Sequence, residues 1–135
     1  MRLSNLADYA VVIMAAAARA GDGARLSANM VADETGIPLP TTQKLLQRLA
    51  QAGLFLSARG GGGGFILTRT PADISLADIV EAVEGPIAMT ACVEEGRHDC
   101  ALEGACQVRP HWGAVNGAIR ASLSGVSLAT LAGAA

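Results

Sequence analysis

Five consecutive glycines, Gly60 to Gly64, constrain this chain more than any other stretch. Glycine loses the most backbone freedom on ordering, so such a run is disfavoured inside a helix or a strand and reads as a loop. Short apolar, partly alternating runs bracket it, Leu54 to Ser57 on one side and Phe65 to Thr68 on the other. Two strand-like runs around a glycine-rich connection read as a β-hairpin. The rest of the chain has to be arranged around that hairpin.

Upstream, the spacing predicts three helices. Ser4 or Asn5 can cap the first, which runs through Asp8, Tyr9 and an Ala-rich stretch to about Ala20 and stops at Gly21-Asp22-Gly23. Ser27 caps a second over Ala28 to Thr35, with Met30 and Val31 expected to face inward, and Gly36 ends it. A third runs from Pro40 to about Ala52, with Leu45, Leu46 and Leu49 on one side and Thr41, Thr42, Lys44, Gln47 and Arg48 largely on the other. Two short helices joined through a Gly-containing turn match a helix-turn-helix, whose second helix enters the DNA major groove by its first residues. A hairpin directly after it makes the unit a winged helix. Thr41, Thr42, Gln43 and Lys44 are then the expected base and phosphate contacts, Arg48 and Arg59 the expected phosphate partners, and Gly61 and Gly62 part of a wing lying along the minor groove.

Charge supports a nucleic-acid partner at one end only. Residues 1–70 carry seven Lys and Arg against four Asp and Glu, a balance of +3, whereas residues 71–135 stand at −5. With 51% hydrophobic residues but only 3% aromatics, the core must be built from Ala, Leu, Val and Ile. The apolar run Ala10 to Ala18 is too short to span a bilayer and reads as a buried helix.

Downstream, a helix is expected from about Ser75 to Val83, with Asp78, Glu81 and Glu84 on a solvated face. Pro110 opens another to about Ser124, carrying Trp112, Val115, Ile119 and Leu123 along one stripe that needs a partner, and a short turn follows from Ser127 to about Leu131. Between the two long helices lie all three cysteines, Cys92, Cys100 and Cys106, spaced C-x7-C-x5-C. An odd number of grouped thiols in a chain without a secretion signal points to a reducing cytosol and a metal or cluster loop rather than disulfides. The chain thus reads as mostly α with a small β-hairpin: a winged helix-turn-helix over 1–72, then a cysteine loop and a long C-terminal dimerisation helix over 73–135.

The segments MRLSNLADYAV, KLLQRLAQAGL, RGGGGGFIL, ISLADIVEAVEG and the three-cysteine loop together resemble the IscR/NsrR family of bacterial winged-helix iron-sulfur regulators, over essentially the whole chain. Within it, GPIAMTACVEEGRHDCALEGACQVR looks most like the regulators of the SUF cluster-assembly operon. The resemblance implies a homodimeric transcription factor, usually a repressor, whose DNA affinity depends on a bound 2Fe-2S or 4Fe-4S cluster; two-fold geometry then makes its double-stranded DNA operator a near-palindrome, and the unpaired thiols keep the expected location cytoplasmic.

A closed cluster site wants four ligands and this chain has three cysteines. IscR-like members place a histidine three residues beyond the last cysteine, where this chain has Arg109. Asp8 stands where NsrR-like members supply a carboxylate from the partner subunit, which makes it the first choice for the fourth ligand; His98 and His111 are local alternatives. Within the family, nitric oxide or redox stress could be the signal instead. Outside it, the cysteines could hold structural Zn²⁺, although no C-x2-C pair is present. A thiol enzyme would need a base beside its nucleophile, and no pocket-forming pattern supports one.

Overall fold

The computed structural model describes residues 2–58, 63–93, 100–102 and 104–133. The Ser4 hydroxyl accepts the Ala7 amide at 3.1 Å and so starts helix α1 (Asn5–Arg19), which buries Ala7, Ala10, Ile13, Met14 and Ala15 to Ala17. The small side chains along this face let neighbouring helices approach closely, which replaces the bulk that aromatic residues would otherwise supply.

Ser27 caps α2 (Ala28–Thr35) by accepting the Met30 amide, and Gly36 ends it in the left-handed region at φ 79°. The inward position expected for Met30 is corrected: it is 54% exposed, whereas Val31 is buried. Ala28, Val31, Ala32 and Thr35 define the inward stripe of this helix, and Met30 lies opposite it. The Thr35 hydroxyl donates to the Val31 carbonyl and accepts the Ile37 amide, fixing the turn into α3 (Leu39–Gln51).

Strands β1 (Phe55–Ala58) and β2 (Gly64–Leu67) pair antiparallel from Phe55 with Leu67 to Ala58 with Gly64. The hairpin is therefore as expected, shifted by one residue on each side. Leu26 adds an unforeseen single-residue bridge on the other side of β2: its amide and carbonyl both pair with Phe65, at 2.9 and 2.8 Å. A Cβ on Gly64 would stand 2.7 Å from the Leu26 carbonyl oxygen, so the last glycine of the run is required by close backbone approach.

A 3-10 turn at Pro71–Asp73 leads into α4 (Leu76–Glu84), whose start is a full capping box: the Asp78 amide donates to Ser75 Oγ at 3.0 Å and the Ser75 amide to Asp78 Oδ2 at 2.9 Å. The acidic residues of α4 are engaged rather than merely solvated. Asp78 also pairs with Arg69 at 3.7 Å, Glu81 pairs with Arg120 at 2.8 Å, and Glu84 accepts the Ser4 hydroxyl. After a second 3-10 turn at Ala91–Val93 comes α5 (Arg109–Ser124), then α6 (Leu128–Leu131).

One core joins these elements. Ile13, Met14, Leu45, Leu46, Leu49 and Leu54 pack with Ile74, Ile79 and Leu128. Leu128 reaches it because the Leu76 amide donates to the Val126 carbonyl and the Leu128 amide to the Ile74 carbonyl, each at 2.8 Å. Helix α5 is the exception: it buries none of its sixteen residues and leaves Val115 41% exposed. Among the described residues no helix is long and apolar enough to cross a membrane.

Candidate functional site

Two regions carry the residues singled out by the sequence. The first is the outer face of α3. Thr42, Leu45, Leu46 and Leu49 are buried, which leaves Pro40, Gln43, Lys44, Gln47 and Gln51 exposed along the opposite face and Thr41 half-buried at its edge. Thr42 is corrected as a DNA contact. It is 0% exposed, and its hydroxyl lies 3.1 Å from the Pro38 carbonyl and 3.3 Å from that of Ile37, donating into the turn that starts α3. A buried hydroxyl requires such a partner, and this one anchors the reading helix instead of reading.

Gln47 takes its place on the outward face; its spacing of three from Lys44 and four from Gln43 was the available signal. Arg48 is half-buried, and its Nη1 donates to the Val83 carbonyl of α4 at 3.2 Å. It therefore ties α3 to the last turn of α4, where a cation is also favoured by unpaired helix carbonyls. Arg59, Gly61 and Gly62 lie outside the described residues.

The second region is a cavity of about 250 Å³ lined by Cys92, Cys100 and Cys106 together with Thr90, Leu102, Arg109 and Trp112. The three thiols, spread over fifteen residues of sequence, thus share one cavity at the root of α5. Cys92 sits in the 3-10 turn, and its sulfur is 3.0 Å from the Thr90 hydroxyl. Cys100 is exposed, while Cys92 and Cys106 are half-buried; all three are free thiols. Trp112 forms part of the wall and is the only tryptophan of the chain.

Asp8 is exposed on the first turn of α1 and His111 on the first turn of α5, and neither lines this cavity. His98 lies outside the described residues. Among the described residues, no group of three or more His, Cys, Asp and Glu side chains is gathered closely enough for a single metal ion. The donor set nonetheless suits an iron-sulfur group, for which thiolates are the preferred ligands. Among the described residues it is one donor short of four.

A helix-turn-helix, a two-stranded wing bridged to Leu26 and a polar outward stripe on the second helix define a winged-helix transcriptional regulator, not an enzyme. The chain belongs to the Rrf2 family, described as iron-dependent transcriptional regulators, which it matches over residues 3–134. It is 30% identical over 131 residues to the HTH-type transcriptional regulator IscR of Photorhabdus laumondii, covering 97% of this chain and 79% of that protein. Its fold resembles CymR, the global cysteine regulator of B. subtilis, with a TM-score of 0.74 and 26% identity, covering 100% of this chain and 98% of the other. T. potens IscR is similar over 96% of this chain and 84% of its own, with a TM-score of 0.66 and 27% identity. Regulators of this family bind DNA.

Proposed function

We propose that this chain is a cluster-sensing repressor that acts as a homodimer on a near-palindromic operator of the SUF iron-sulfur assembly genes. The observation that carries the reading is the shared cavity: three thiols around about 250 Å³ suit a multi-atom cluster, whereas structural zinc needs four donors about 2.3 Å from one point. Cys92, Cys100 and Cys106 would hold the group, with Asp8 of a second protomer as fourth ligand. When bound, the cluster supplies a redox- and ligand-sensitive centre.

The chain's own residues do the rest. Lys44, Gln43, Gln47 and Thr41 present polar and cationic groups to the major groove, and the unburied apolar stripe of α5 pairs two protomers. Two-fold pairing sets the recognition helices about 34 Å apart, one turn of DNA. The division of labour follows residues 1–72 for reading DNA and 73–135 for sensing and pairing.

Anaerobic reconstitution with iron and sulfide tests this. The native chain should gain broad visible absorption with matched iron and sulfide, and Trp112 emission should be quenched. Cys92→Ala should lose all of these, and Asp8→Ala should release the cluster faster while staying folded. A colourless protein holding zinc would replace this reading with a structural zinc site. Retention of SUF promoter DNA no better than of unrelated DNA would remove the assignment of the target genes.

A further inference from the structure

The segment leading from α4 to Cys92 is held by side chains. The Ile87 amide donates to Glu81 Oε2 at 3.0 Å and the Met89 amide to Asn116 Oδ1 at 2.9 Å, while Asn116 Nδ2 donates back to the Ile87 carbonyl at 2.9 Å. One primary amide thus accepts through its oxygen and donates through its nitrogen across the same loop, two contacts that a Leu of similar size cannot make and a Gln can. Glu81 is held in turn by Arg120 at 2.8 Å. Trp112, Asn116 and Arg120 follow one another at single-turn spacing on α5, so the cavity wall, the loop clamp and the tie to α4 share one stripe. From α4 the contact continues to α3 through the Val83 carbonyl and Arg48.

We propose that Asn116 is a positioning residue that couples what occupies the cysteine cavity to the placement of α3. The proposal rests on the cluster-sensing reading above. A group gripped by Cys92 fixes the chain three residues beyond Met89. The Asn116 amide converts that into a fixed relation between loop and α5, Arg120 with Glu81 passes it to α4, and Arg48 passes it to the reading helix. Hydrogen bonds are short-ranged and directional, so elements joined in this way shift together rather than independently. Without the amide, the Ile87 bond to Glu81 still ties the start of the loop to α4, but Met89, three residues before Cys92, is released and can follow the cluster without moving α5.

The test is backbone hydrogen exchange on the full chain, before and after anaerobic reconstitution with iron and sulfide. Visible absorption and Trp112 emission report loading separately. In the native protein, loading should change exchange of residues 39–51 by about ten-fold, a typical coupling between sites. Asn116→Leu should still load and still respond at residues 87–93, but respond at 39–51 by less than about two-fold; Asn116→Gln, which keeps the amide, should recover part of the response. If Asn116→Leu does not fold, Arg120→Gln breaks the next link and should give the same loss. An undiminished response at 39–51 in the folded variant would overturn the proposal. So would a loaded native protein with no response there, which would leave the cluster reading standing. A native protein that never loads would remove both.

Discussion

On α3 a hydroxyl and an ammonium two residues apart serve different ends. Thr42 is fully buried and bonds the carbonyls of the preceding turn, so Thr42→Val should lower stability by about 1 kcal/mol. Thermal denaturation would register that loss, while the DNA sequence preference of the folded fraction stays the same. Lys44 is exposed on the opposite face. Lys44→Ala should weaken DNA binding on all sequences alike and reduce the slope of log affinity against log salt by about one, with little change in stability. The inward place of Thr42 was legible in its spacing from Leu45, Leu46 and Leu49, at i+3, i+4 and i+7; judging it by polarity rather than by spacing put it on the wrong face. Met30 misled in the opposite way, as an apolar side chain in a position that the stripe of α2 leaves outside. The Asn116 clamp was not legible, because its partners are backbone groups of a loop that has no periodicity.

Among elements, α5 differs from every other long helix of the chain in burying nothing. Trp112, Asn116 and Arg120 face the cavity, the loop and α4, while Val115 stands exposed on a neighbouring line. If that line is the pairing surface, Val115→Asp should convert a dimer to a monomer in light scattering at unchanged helix content, and operator affinity should fall with it. A dimer that survives the change would move the pairing surface elsewhere. The stripe was visible as a helical spacing of apolar residues, and so was the hairpin, from its glycines. The bridge from Leu26 to the wing was not, since Leu26 contributes a single residue and a single residue has no pattern.

Across the whole molecule, the winged helix and the elements that follow it share one core. Leu128 is fully buried in this core, where α6 packs on α1 and on the Pro71–Asp73 turn, so Leu128→Ala should cost about 2–5 kcal/mol. Denaturant unfolding should show that cost as one shifted transition, with the helix-turn-helix and α4 melting together; two separate transitions would mean that the units fold apart. Sequence patterns located both ends of this packing but not their meeting, because a bridge between Ser75 and Ser127 joins residues far apart along the chain. That bridge also orders events during synthesis. The helix-turn-helix leaves the ribosome early, yet the residue that completes its core comes from α6. A nascent chain lacking residues 127 and 128 therefore lacks part of the core beneath its helix-turn-helix, so that unit should reach its full stability only once translation has passed residue 128.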